Sequence, residues 1–123
     1  MEWKGCVGME KSCVTVCVRH LAALETLVCA GRRLADQCGR TLRVLLFQEE
    51  YVKESGAMLE YAFSCARGAD AGLEALYTGN EERMKAYMRR GTALLLVDAQ
   101  DERLLQLGQA AFSKRESACV LKA

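Results

Sequence analysis

The sequence predicts an α/β fold in which parallel strands alternate with helices. Short apolar, β-branched runs alternate along the chain with segments whose apolar residues recur at helical spacing. Three glycines, Gly39, Gly68 and Gly91, each stand at the end of a helical segment and before the next apolar run. Helices that connect successive strands in this way form right-handed βαβ units. We therefore expect a parallel sheet with helices on both faces.

The first three elements have clear periodicities. Cys13–Val18 reads CVTVCV, a short apolar run typical of a buried strand. Leu21–Cys38 has apolar residues at the spacing of one helix face and is predicted to be a helix. Thr41–Phe47 reads TLRVLLF and is the second predicted strand.

The next elements repeat this cycle. Glu54–Arg67 carries four residues on one helical face, and Gly68 ends this second predicted helix. Ala71–Tyr77 (AGLEALY) is a less hydrophobic strand, so we place it near an edge of the sheet. Glu81–Arg90 is predicted to be the third helix, and Gly91 follows it.

The last part of the chain completes the sheet. Thr92–Val97 (TALLLV) is the most apolar strand and is expected to be central. Asp101–Phe112 is the fourth predicted helix, and Ala118–Lys122 (ACVLK) is a last short strand. The prediction is one domain over residues 12–123, preceded by a loose leader over residues 1–11.

Composition limits the function classes. The net charge is +1 with the charges mixed along the chain, so no basic stripe indicates nucleic acid or a membrane surface. No apolar run approaches the roughly 20 residues of a membrane span. The seven cysteines are an odd number without a CxxC pair, which predicts reduced thiols in a cytoplasm. We expect most of them to act as small buried hydrophobic residues.

Two cysteines and the single histidine cluster in Ser12–His20, which raises the question of a metal site. On a helix, Cys13 and Cys17 would lie about 6 Å apart. On a strand they lie roughly 13 Å apart at ~3.3 Å per residue and cannot share an ion. Valines alternate with the cysteines, so the strand interpretation is favoured and no metal is expected.

A thiol-dependent site is a separate hypothesis. Cys17 is predicted near the carboxyl end of the first strand, where parallel α/β folds place their sites. Arg19 beside it would lower its pKa. The glycine-rich phosphate motifs GxGxxG and GxxxxGK[ST] are both absent.

Several segments together resemble the universal stress protein family. VTVCV, the helix segment LVCAGRRLADQCG and the strand TLRVLLF resemble its opening, and GAMLEYAFSCARGADAGLEALYTGN and EERMKAYMRRGTALLLVDAQ continue the match. The chain is most similar to the short bacterial branch resembling the stress-protein-like module of potassium-sensing histidine kinases. The resemblance implies a three-layer, doubly wound α/β/α sandwich with a five-stranded parallel sheet of order 3-2-1-4-5. It also implies a nucleotide crevice at the carboxyl ends of strands one and four.

The sequence departs from the ATP-binding members of that family at both sides of this crevice. Those members carry an acidic residue after strand one, where this chain has Arg19 and His20. They carry a glycine loop after strand four, where this chain has no glycine until Gly108. Asp98 or Asp101 is expected to cap the fourth helix, which places carboxylate at the pole that would attract phosphate. ATP binding by the usual family mode is therefore not expected, and no cofactor is predicted.

The resulting functional prediction is a non-catalytic, stress-protein-like module in stress response or signalling. It would act through dimerisation and through partner or small-ligand binding. The resemblance implies that a homodimer forms through the last strand, which consists of Ala118, Cys119, Val120, Leu121 and Lys122.

Two alternatives remain open. One is a thiol-dependent enzyme or redox sensor centred on Cys17. The other is a nucleotide or small-anion binding protein that uses the degenerate crevice, with ligand-binding residues Arg19, His20, Gln48, Asp98 and Gln100.

Overall fold

The computed structural model describes residues 13–112 and the backbone of residues 119–122. Four parallel strands lie in the order β3-β2-β1-β4, which confirms the α/β class. The strands are β1 (Cys13–Val18), β2 (Thr41–Gln48), β3 (Gly72–Tyr77) and β4 (Thr92–Val97). The helices are α1 (Leu24–Cys38), α2 (Ser55–Gly68), α3 (Glu81–Arg89) and α4 (Glu102–Ala111).

Because all the strands are parallel, their carboxyl ends lie at the same end of the sheet. Val16 of β1 lies opposite Val44 of β2 and Leu96 of β4. β3 pairs with β2 at the far side from β1, in agreement with its predicted place at an edge. The backbone of β5 (Cys119–Lys122) runs parallel to β4. Ala118 and the predicted leader lie outside the described residues.

Alternate residues of β1 enter two separate hydrophobic clusters. The valines at 14, 16 and 18 belong to a cluster with α1 and α2, whereas Cys17 belongs to a cluster with α3 and α4. Thr15 is also buried, and its hydroxyl is 2.8 Å from that of Thr92 on β4. The alternation that predicted a strand therefore sends successive side chains toward different helix pairs.

Helix α1 lies unusually close to the sheet at Gly31. A Cβ atom at this position would lie 2.6 Å from Val16 Cγ2 and 2.9 Å from Leu42 Cδ1. Such distances are too short for any real contact, so only glycine fits without a shift of the neighbours. The helix that follows β1 is thus held tightly against β1 and β2.

The helix ends differ from the sequence prediction in two details. Residues Leu21–Ala23 form a separate turn of 3-10 helix, and the α-helix begins only at Leu24. The side chain of His20 makes no capping hydrogen bond there, so the turn is closed by backbone bonds, in which the Ala23 amide donates to the His20 carbonyl and the Leu24 amide to the Leu21 carbonyl. Gly68 is still helical, and Asp70 adopts the left-handed φ of 54° after α2.

None of the helices formed by residues 13–112 combines the length and apolar character needed to cross a membrane.

Candidate functional site at the carboxyl ends of β1 and β4

The chain leaves β1 and β4 toward opposite sides of the sheet. The two strands are neighbours, and Cys17 of β1 lies opposite Val97 of β4. The helix after β1 contributes to one hydrophobic cluster, and the helix after β4 contributes to the other. Such a divergence opens a crevice at the carboxyl ends of adjacent strands, where doubly wound folds bind their ligands.

Arg19 and Asp101 meet across this crevice. The guanidinium of Arg19 donates from Nε to Oδ2 of Asp101 at 2.8 Å and from Nη2 to Oδ1 at 2.6 Å. This is a two-pronged charge-assisted pair, the geometry in which arginine binds carboxylates most strongly. The side chain of Asp101 is only 3% exposed, whereas that of Arg19 is 27% exposed. The carboxylate is therefore enclosed, and the arginine covers it from the solvent side.

Asp101 is also the N-cap of α4. Its Oδ1 accepts a hydrogen bond from the backbone amide of Leu104 at 3.1 Å. Burial raises the pKa of Asp101, but hydrogen bonds from Arg19 and the Leu104 amide more than offset it, and the pKa lies below its usual range. The positive end of α4, which would attract a phosphate, thus already holds a carboxylate.

Gln48 stabilises the same arrangement from the end of β2. Its Nε2 donates to the backbone carbonyl of Arg19 at 2.9 Å. Beside this contact lies a cavity of about 20 Å3, which has room for about one water molecule. A nucleotide needs several hundred Å3. The cavity lining is completed by residues from four elements or their loops: Phe47, Glu49, Thr78, Gly79, Met84 and Arg103.

The other predicted crevice residues do not point into an open pocket. His20 and Gln100 are exposed, and Asp98 is half-buried. Oδ1 of Asp98 accepts from the backbone amide of Gln100 at 3.0 Å, so this carboxylate closes a local turn. Of the two residues expected as possible helix caps, Asp101 fills that role.

The sequence analysis identified Arg19 and Asp101 separately and missed their contact. The sequence did contain a signal for this contact. Arg19 follows β1 and Asp101 follows β4, so opposite charges stand after two strands that are neighbours in the predicted order. Arg103, the second residue of α4, was missed as well. It lines the cavity and its Nη2 lies 3.3 Å from Glu81 Oε2.

Cys17 is fully buried among apolar side chains. Burial raises the pKa of its thiol well above the ordinary value. The positive charge of Arg43 lowers this pKa, but its effect is smaller than that of burial. The expectation that Arg19 lowers this pKa is therefore wrong. A protonated, enclosed thiol is a poor nucleophile, so these facts argue against a reactive site at Cys17.

The other described cysteines do not follow the expectation of burial. Cys13 and Cys65 are half-buried, and Cys29 and Cys38 are exposed. The prediction that most cysteines fill the core is thus wrong for Cys29 and Cys38, whereas Cys65 packs against the cluster of α1 and α2. Over residues 13–112, no three or more His, Cys, Asp or Glu side chains converge in a way that could hold a metal ion.

No protein-family model, curated protein or solved structure matches this chain.

Proposed function

We propose that this chain is a non-catalytic module of the universal stress protein type that acts by dimerisation and partner contact. In this proposal the complete sheet is five-stranded, in the order 3-2-1-4-5, within a three-layer sandwich. The resemblance in element order and helix signatures supports the family assignment. The single observation that carries the functional part is the Arg19–Asp101 pair, which fills the crevice with the protein's own side chains.

The pair supports a non-catalytic function for a physical reason. An anionic substrate at the end of α4 would have to displace Asp101, which would break two short charge-assisted bonds and a helix cap. It would also leave a carboxylate with little solvent access and no partner. Binding energy would be consumed in opening the crevice before any chemistry took place.

The same argument weighs against the nucleotide-binding alternative. A small anion could approach only the side of Arg19 that remains exposed, beside the cavity of about 20 Å3. Arg103 on the rim of that cavity is already engaged with Glu81. We therefore rank partner contact above nucleotide binding.

The proposed dimer uses the outer edge of β5. The described pairing of β5 is with β4, which leaves the opposite row of backbone amides and carbonyls to be satisfied. A second copy that pairs with this edge would satisfy them. A second copy is proposed as the partner because the family resemblance implies that the last strand pairs with the same strand of a two-fold related copy.

Light scattering coupled to size exclusion tests the dimer. Successive backbone amides in a strand point to opposite edges, so Val120→Pro and Leu121→Pro remove hydrogen bonds on different sides of β5. We expect the wild type to be a dimer and one of the two variants to be a folded monomer. The other variant should lose the pairing with β4 and be less stable. A wild type that remains monomeric at high concentration would overturn the proposal.

A further inference from the structure

A groove runs between α1 and α2 on the face of the domain away from α3 and α4. Its volume is about 400 Å3. Cysteines from both helices line it: Cys29 is exposed on α1, and Cys65 is half-buried on α2. Both thiols are free. The groove thus brings together two thiols that are 36 positions apart in the sequence.

Pairs of residues on either side place the two cysteines at the same level along the helices. Arg32 of α1 donates from Nη1 to the carbonyl of Ala69, the residue after α2, at 2.8 Å. One turn before the cysteines, Glu25 of α1 and Tyr61 of α2 line the same groove, and the Tyr61 side chain is hydrogen-bonded to Cys65. Both helices follow parallel strands and contribute to the same hydrophobic cluster, so they run side by side in the same direction.

Cys29 and Cys65 lie between these two pairs of residues. Cys29 is four residues after Glu25, and Cys65 is four residues after Tyr61, so each cysteine shares a helix face with the residue one turn before it. The two faces meet in the groove. Two thiols on adjacent helices that line one groove can form a disulfide where their Cα atoms come within about 7 Å of each other.

We propose that Cys29 and Cys65 are a redox modification site that peroxide converts into an intramolecular disulfide. The exposed sulfur of Cys29 attacks one oxygen of hydrogen peroxide and loses its thiol proton, which gives a sulfenic acid at Cys29 and releases water. The thiol of Cys65 then attacks the sulfenic sulfur. The S–S bond forms, and the sulfenic oxygen leaves as water. In sum, two thiols and one peroxide give one disulfide and two waters.

The oxidation is reversible by a low-molecular-weight thiol such as glutathione. A thiolate attacks the exposed sulfur of Cys29 and forms a mixed disulfide, and a second thiolate releases the protein thiol and oxidised glutathione. The disulfide would link α1 to α2 and so fix the relation between the helices on this face. The site is independent of the crevice and of the proposed dimer edge.

Peptide mapping of the full chain tests this proposal. Trypsin places Cys29 in the peptide 20–32 and Cys65 in the peptide 54–67, each with a single cysteine, while Cys38 falls in the peptide 34–40. The protein is treated with hydrogen peroxide, quenched with catalase, alkylated under denaturing conditions and digested. We expect a linked 20–32/54–67 species, lighter than the sum of its peptides by two hydrogen atoms. It should disappear after dithiothreitol.

Two variants sharpen the result. Cys38→Ser removes the other exposed cysteine of α1 and should leave the yield of the linked species unchanged. Cys29→Ser should abolish it and leave Cys65 alkylated after the same treatment. The proposal fails if both thiols of the wild type are alkylated after peroxide, or if Cys29 proceeds to sulfinic acid without a link. It also fails if non-reducing electrophoresis shows that Cys29 links two chains instead.

Discussion

The pair between Arg19 and Asp101 predicts a specific loss of stability when its charge is removed. Asp101→Ala deletes the N-cap of α4, which costs about 1 kcal/mol, and the charge-assisted pair, which costs about 1.5–3 kcal/mol. Because Arg19 keeps access to solvent, we expect values near the lower end, about 2–3 kcal/mol in total. Asp101→Asn retains a side-chain oxygen for the cap and should lose only the part due to charge.

A double-mutant cycle isolates the pair. Urea unfolding followed by far-ultraviolet circular dichroism gives the free energy for the wild type, Asp101→Asn, Arg19→Met and the double variant. We expect a coupling energy of about 1–2 kcal/mol. The matched control is the pair of Arg103 with Glu81, whose side chains are 43% and 54% exposed, and its coupling should be about 0.5 kcal/mol or less. Equal coupling in the two cycles would refute the reasoning.

The same pair determines a pH dependence. The pKa of Asp101 is lower in the folded protein than its ordinary value of 3.8, so the folded state favours the ionised carboxylate. Its contribution is therefore fully present above the ordinary value and is lost as the pH falls toward the folded value. The stability difference between wild type and Asp101→Asn should stay constant above about pH 5 and shrink below about pH 4. A difference that grows on acidification would contradict the assigned sign.

Two other variants and one labelling experiment test the packing of the fold. Gly31→Ala should destabilise the protein by about 1–3 kcal/mol in urea unfolding, because the added Cβ would overlap Val16. The control is Gly68→Ala in α2, where an added Cβ meets nothing within 4 Å, and it should be neutral or slightly stabilising. Arg43→Met should lower the unfolding temperature, because the Arg43 guanidinium of the wild type donates to two carbonyls at the end of α3 at 2.6 Å each. An unchanged unfolding midpoint would show that these bonds contribute nothing to stability. Iodoacetamide should label Cys17 only after unfolding, and labelling of the native protein at the rate of a free thiol would contradict its burial.

The class of fold could be predicted because its signals are local. The strand boundaries follow from short apolar runs, and Gly39 and Gly91 adopt left-handed φ values of 67° and 69° at the ends they were expected to mark. The exposure of Cys29 also had a local signal. The buried positions of α1 include Leu27, Val28 and Gly31, and position 29 lies off that stripe. Treating cysteine as core filler overrode the periodicity.

The candidate site depended on contacts that local patterns do not encode. Arg19 and Asp101 are 82 positions apart, and their bond requires β1 and β4 to be neighbours. The sequence supplied the two charges and their places after strands. It did not indicate that they would neutralise each other instead of facing a ligand. That outcome depends on where the first turn of α4 lies relative to the end of β1, and α4 packs with α3 in one hydrophobic cluster.

A calorimetric titration tests the central claim, that the crevice is closed by the protein's own side chains. ATP, ADP and AMP are injected separately into the purified wild type, with magnesium present and absent. The account predicts no saturable heat, and no thermal shift with any of the three at millimolar concentration. Saturable binding that is lost in Arg19→Met would contradict it, because Arg19 would then be contacting the nucleotide and not closing the crevice.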